Sequence, residues 1–424
     1  QRFEEAMSLF KVREWWSTQC GDSEEFDGGC MAVGNVDNEP GGPMKIVVGS
    51  FSGILRIYRP SQRDYRAEDL KLEQSLGSPI IQVEIGIFSS LSQKDLQLAV
   101  LHPKRLSVFS VSVIPGEESS GGGGYQLSLL YKHNLERSAY NFTYGPFGRV
   151  QGKDYIAVQS LDGELCVIEQ ENMAFSKFLP NFLVPGPICY SPAIDSFVTV
   201  NSQMECECYK FGPFASTAGG LLATNEDRTK DSRRPRPEWT ANLGESAVAV
   251  YPARHSAGLG RDEAELIVVG ENTIFWLAAD AGRIRSQKRL DYFPTCAHVY
   301  SVTDATHNLL VGTGAGNAVV YGGDLKVAWA AVLPAEPVAI RVMTAGVAKV
   351  RGMIASMTDR GQLSVSFLGT EAPSQVVAVS ERIELNYDQM DEEHRRLLGV
   401  IRDATGDKGV QRASERLTLR INVP

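Results

Sequence analysis

At 424 residues the chain exceeds the span of one compact core, so it is either several domains or one large closed repeat array. Hydrophobic content of 43%, 22% charged residues and a net charge of −9 are those of an ordinary soluble globular protein, and they disfavour polyanion binding. No apolar run approaches the ~20 residues of a membrane helix, and the first residues lack the pattern of a secretion signal. Seven cysteines, odd in number and irregularly spaced, suit a reducing compartment, with the cytosol as the expectation. The triplet Asn141-Phe142-Thr143 matches a glycosylation sequon, which matters only in a secreted chain.

Residues 1–6 pattern with nothing that follows and read as a cloning remnant. Residues 8–19 (SLFKVREWWSTQ) precede the first repeat and are assigned the closing strand of a ring, which leaves no sheet edge open. Trp15 and Trp16 are then packing anchors. The unit of the array follows at 45–59, KIVVGSFSGILRIYR: a β-branched run, a small-residue turn and an alternating run, together a tight hairpin. It returns at 96–111, 155–168, 196–209, 266–277, 309–321 and 353–367, about seven copies in all. Short strands flank each copy, for example GCMAVGNV at 29–36 and residues 72–76 around the first. Four strands per period of roughly 40 to 70 residues predict an all-β, seven-bladed β-propeller over 7–375.

Two segments lengthen the period. Residues 116–124 (GEESSGGGG) read as a flexible linker within a blade, and 212–237 as a polar, Pro-rich, disordered insertion. Beyond the array, residues 376–405 are expected to be a linker with an amphipathic helix at 387–404. Met390, Leu397 and Ile401 fall on one side of that helix as a candidate protein interface. Residues 406–424 contain an alternating run, LTLRINV, whose partners would lie in a second domain only begun here.

No catalytic motif is present: there is no HExxH, no Walker A loop, and Phe51 stands where a GxSxG nucleophile would. Gly312, Gly314 and Gly316 sit in a hairpin turn with no helix after them, so they serve positive φ rather than a dinucleotide. Cys206 and Cys208 share one strand face and read as buried thiols, since a metal would need two more ligands and only Cys189 is near in sequence. The six histidines are scattered without metal or catalytic spacing. The run Asn35-Val36-Asp37-Asn38-Glu39 is similar to the calcium loops of integrin-type propellers, but lacks the alternate carboxylates and the glycine. Catalytic, cofactor and metal residues are therefore all assigned as none.

Several stretches carry a more specific resemblance: MSLFKVREWWST at 7–18, VDN at 36–38 before the first hairpin, LAVLH, YKHNLERSAYNFTYGPFG at 131–148 and AVLPAEPVAIRV at 331–342. The most specific is 159–191, QSLDGELCVIEQENMAFSKFLPNFLVPGPICYS. They resemble the parathyroid-hormone-responsive B1, or Bardet–Biedl syndrome 9, family of BBSome subunits. The resemblance implies a non-catalytic scaffold in a coat-like complex that traffics membrane proteins to and from cilia. Its implied partners are other BBSome subunits and, indirectly, an Arf-like GTPase and ciliary membrane-protein cargo, with neither nucleic acid nor membrane insertion. The implied location is the cytoplasm, the cilium, its base and, peripherally, its membrane. It further implies that 406–424 begin an adaptin-ear-like β-sandwich. Two rivals stand beside it: a propeller enzyme or small-ligand protein using the central channel, favoured by carboxylates or histidines converging there, and a secreted integrin-like propeller, favoured by paired cysteines.

Overall fold

Each of the seven hairpins is the middle pair of a four-stranded antiparallel sheet in the computed structural model, which describes residues 10–89, 95–114, 124–180, 183–216, 235–255, 263–303, 306–345, 350–367, 392 and 394–399. The chain forms two units, Gln1–Val379 and Ser380–Pro424. The first is a seven-bladed β-propeller. From the inside outward, blade 1 holds Met31–Gly34, Lys45–Gly49, Ile54–Tyr58 and Leu70–Ser75. Blade 2 holds Gln82–Gly86, Gln97–His102, Arg105–Val113 and Tyr125–Asn134, and blade 3 holds Ala139–Gly145, Tyr155–Ser160, Glu164–Glu169 and Asn172–Phe178. Blade 4 holds Ile188–Ser191, Ser196–Val200, Glu205–Lys210 and Trp239–Asn242. Blade 5 holds Ala247–His255, Glu263–Gly270, Thr273–Ala278 and Ile284–Arg289. Blade 6 holds Pro294–Thr303, Thr306–Thr313, Asn317–Tyr321 and Val327–Val332. The pair His255↔Thr306 joins blades 5 and 6 into one sheet.

Blade 7 is built from both ends of the array. Ala339–Ala345, Val350–Met357 and Gln362–Phe367 supply three strands, and Arg13–Gln19 is the fourth, antiparallel to Gln362–Phe367. Just before it, Phe10–Lys11 lies parallel to Ala331 and Val332 on the outer strand of blade 6. The closing strand expected at 8–19 thus touches two neighbouring blades. Trp16 anchors it: the indole is buried, donates from Nε1 to Asp69 Oδ2 at 2.9 Å, and meets Tyr58 and Tyr65 edge-on.

Seven hydrophobic clusters hold the ring, one between each pair of adjacent blades. In blade 1, Ile46 and Val48 face blade 7 while Val47 faces blade 2, as the period of two requires. Middle strands therefore bury both faces, which is why they read as continuous apolar runs. Outer strands such as Asn172–Phe178 are largely exposed. Each buried Val, Leu or Ile contributes roughly 1.5–3 kcal/mol, so the stability of every blade depends on its neighbours.

Two expectations are corrected. The insertion begins later than residue 212: Phe211–Ser216 is a short helix whose Phe214 is buried among Phe175, Phe197 and Tyr209, so aromatic packing overrides the turn signal of Gly212-Pro213. The sequence of Gly282-Arg283-Ile284-Arg285 reads as a turn into a strand at 288–290, but the strand runs continuously over Ile284–Arg289, after a turn closed by Gly282 N–H to Ala278 O at 2.9 Å. Residues 376–383, whose sequence also permits a strand, the run at 417–423 and most of both long insertions lie outside the described residues.

Candidate functional site

The innermost strands of blades 2 to 7 surround a central cavity of about 520 Å³. The inner strand is the edge of each blade that faces the axis, so blades 2 to 7 each leave side chains in the channel. Blade 2 brings Gln82 and Glu84, blade 3 Asn141 and Tyr144, blade 5 Tyr251, blade 6 His298 and blade 7 Arg341. His307, on the second strand of blade 6 opposite Ser301, reaches the same space. The sequence showed these histidines as scattered, and the ring brings two of them together.

Several of these groups are fixed by the wall itself. Gln82 spans the gap between blades 2 and 3, donating from Nε2 to Phe142 O at 3.0 Å and accepting from Phe142 N–H at 2.8 Å. Tyr144 Oη donates to Ile85 O at 3.1 Å and Tyr251 Oη to Ala297 O at 2.6 Å. Burial, with Arg341 nearby, pushes His298 down to about 3, so its imidazole is neutral at physiological pH. Burial also raises Glu84 above the usual carboxylate range, opposed by the charge of Arg341 and by Gln82. The channel thus offers donors, acceptors and one guanidinium. Its lining also holds Ser301, paired across the strands of blade 6 with His307, and Cys189 of blade 4.

The remaining sequence-level candidates have structural roles. Asp37 and Glu39, compared above with a calcium loop, surround the buried ammonium of Lys45, which also donates to Asn35 Oδ1 at 2.8 Å. Tyr125 Oη of blade 2 donates to Asp37 Oδ2 at 2.6 Å, tying the two blades together. Burial alone would raise Asp37, but Lys45 and Tyr125 outweigh it and hold the carboxyl below its ordinary value. A lysine thus stands where a cation would have bound.

Cys189, Cys206 and Cys208 do converge, in the core between blades 4 and 5, but all seven cysteines are free and buried. Burial pushes Cys208 up to about 11 and holds Cys206 well above its ordinary value, away from the thiolate a metal prefers. Among the described residues no three His, Cys, Asp or Glu side chains are placed to hold a metal ion. Gly316 adopts φ +72° in its hairpin turn, but Gly312 is a strand residue and neither it nor Gly314 has a positive φ, so the turn reading holds for Gly316 alone.

In the second unit, Glu392 and residues 394–399 are helical, and Leu397 is 53% exposed. Met390 and Ile401 lie outside the described residues, so the expected apolar stripe is represented here by Leu397 alone. Reasoning from sequence missed a different apolar surface, on the loops of blades 3 and 4. Leu183 and Val184 are 79% and 62% exposed, and their backbone N–H groups are fixed by Ser202 Oγ at 3.0 and 2.8 Å. Leu161, Phe178 and Met204 are exposed in the neighbouring turns and strand end, with the Arg137 guanidinium 4.7 Å above the Phe178 ring. The FLPNFLVPGP run was the available signal, because it places large apolar residues in a segment that is not a strand.

The sequence matches the PTHB1 N-terminal family over residues 7–372. The chain belongs to that family. It is 43% identical over 419 residues to protein PTHB1 of Homo sapiens, covering 97% of this chain and 46% of that protein. To protein PTHB1 of Xenopus laevis it is 42% identical over 412 residues, covering 94% and 47%. The chain therefore spans about half the length of these curated PTHB1 relatives. Among solved structures, a crystal structure of BBS1N in complex with ARL6DN superposes with a TM-score of 0.60 at 13% identity, over 87% of this chain and all of that one. At that identity the likeness to BBS1N establishes the propeller fold the two share.

Proposed function

We propose that this chain is a non-catalytic scaffold and interaction subunit of the BBSome, acting in the traffic of membrane proteins to and from cilia, in the cytoplasm and peripherally at the ciliary membrane. The observation that carries this reading is membership of the PTHB1 N-terminal family over nearly the whole propeller. Two further features support it. The likeness to a BBS1N propeller solved with ARL6DN supports a fold used for protein contacts in that setting. The loops of blades 3 and 4 present Leu183 and Val184 on the rim, the kind of exposed apolar surface that partners cover. Partners are then other BBSome subunits, with an Arf-like GTPase and membrane-protein cargo reached through them.

The test is affinity capture from ciliated-cell extract with this chain and with Leu183→Asp/Val184→Asp, read by quantitative mass spectrometry. Stoichiometric BBSome subunits with the parent chain, depleted about tenfold or more by the double substitution, are the expected result. Absence of those subunits from the parent capture would overturn the scaffold reading for this half of the protein.

A further inference from the structure

The two charged side chains of the channel, Arg341 and Glu84, are bonded less completely than the buried charges of blade 1. Arg56, the sheltered arginine of blade 1, is held through Nη1 and Nη2 by Glu24 at 2.9 and 2.7 Å and through Nε by Glu73 at 2.7 Å. Arg341 has the same fork of five N–H donors, yet its described hydrogen bond runs from Nη1 to Ile340 O, its own neighbour's carbonyl, at 2.9 Å. Glu84 enters the cavity from blade 2, with Gln82 Nε2 at 3.4 Å as its described donor. Each of the two charges is felt by the other, but no ion pair within 4 Å joins them among the described residues.

The turn Gly28–Cys30 packs against the inner strands of both blade 2 and blade 7. Gly29 lines the cavity there, and a Cβ on it would lie 2.7 Å from Ile81 O, so no side chain fills the gap. On blade 3, Asn141 donates through Nδ2 to Gly186 O at 3.2 Å, while its Oδ1 is buried with no hydrogen-bond partner. One cavity thus holds a guanidinium without a carboxylate, a carboxylate without a cation, and an amide oxygen without a donor. Buried polar groups are normally satisfied, and a cluster left open around a cavity is the signature of a ligand site.

We infer that the channel binds a small zwitterion of the amino-acid type, with its carboxylate on the Arg341 guanidinium and its ammonium on the Glu84 carboxylate and Asn141 Oδ1. A simple anion would meet Arg341 and be repelled by Glu84, and a simple cation would meet the reverse. Only a ligand carrying both charges satisfies both walls. His298 is neutral and does not compete with Arg341 for the carboxylate. The site uses none of the exposed rim side chains invoked for partner binding, so its test is separate from that of the scaffold reading.

The experiment is calorimetric titration of the whole chain with ω-amino acids from glycine to 6-aminohexanoate, using butanoate and butylammonium as single-charge probes. One saturable site is expected for at least one member of the series, about tenfold or more tighter than for either single-charge probe. Arg341→Gln removes that preference, and Glu84→Gln weakens the zwitterion about tenfold while strengthening butanoate. Arg341→Lys, which keeps the charge without the fork, retains the fold and weakens binding about fivefold. The shift in melting temperature of the unaltered chain with each probe follows the same order and needs no variant. Equal or non-saturating heats across the series, or a zwitterion preference that survives both neutral substitutions, would overturn the inference and leave a channel filled by water.

Discussion

Lys45 and Arg341 are both cations drawn into the ring, one in the seam between blades 1 and 2 and one in the central channel. Around Lys45 three acceptors close in, from Asn35, Asp37 and Glu39, and Tyr125 completes the shell of Asp37. Around Arg341 the wall supplies one backbone carbonyl. A completed shell marks a charge that holds the fold together, whereas an incomplete one marks a charge that the fold holds in place for something else. Position decides which is built, because a seam between blades can be packed shut and the axis of seven blades cannot.

Lys45→Ala should break the contrast most severely, since it leaves Asp37 buried and unpaired; a loss of about 3–5 kcal/mol in denaturant unfolding is expected. A loss below about 1 kcal/mol would mean that Asp37 finds water and the shell is not structural. The same shell has a pH signature. Because the folded-state pKa of Asp37 lies below its unfolded value, its contribution is present above about pH 4 and fades as pH falls from there through the lowered value. Asp37→Asn should lack that acid-side slope, and an unchanged slope would assign it to other carboxylates.

The channel predicts smaller effects of opposite sign. Glu84 has a raised folded-state pKa, so it costs stability as pH rises from about 4.3 through that raised value. Glu84→Gln should therefore flatten this slope and stabilise the chain at pH 7 by up to about 1 kcal/mol, measured by thermal melts across pH. A clear destabilisation would show Glu84 to be paired after all. The smallest expected change separates backbone strain from charge. The central hairpin turns of blades 1, 3, 6 and 7 place Gly53, Gly163, Gly316 and Gly361 at φ +72° to +86°, whereas blade 4 places Met204 there at φ +63°. Met204→Gly should gain about 0.5–1 kcal/mol, and a loss would mean that the exposed methionine side chain packs favourably.

The parts of this molecule that could be read from sequence are those where local pattern and final environment coincide. Residues 45–59 announce a hairpin because both faces of its first strand are buried between blades, so Ile46, Val47 and Val48 are all apolar. Residues 8–19 could be given a closing role because a ring of strands requires one, and Trp16 confirms the anchor. The channel groups could not be found this way. Glu84, Asn141, His298 and Arg341 sit one to a blade, each surrounded in sequence by ordinary strand residues, and only closure of the ring makes them neighbours. The helix Phe211–Ser216 was hidden for a different reason: Gly212 and Pro213 speak for a turn, and the i, i+3 pair Phe211 and Phe214 that buries it was outweighed.

The pairing of Arg13–Gln19 with Gln362–Phe367 has a consequence for how the chain is made. Its two partners are separated by about 350 residues, and a ribosome adding about 5–20 residues per second needs roughly 20–70 s to synthesise that interval. Throughout it the closing strand, carrying Trp15 and Trp16, waits without its mate while six blades assemble behind it. The ring is thus sealed by an early-made strand meeting a late-made one. A second nascent chain nearby would offer that waiting strand the same edge, so crowded polysomes should favour strand-exchanged dimers that dilute synthesis does not.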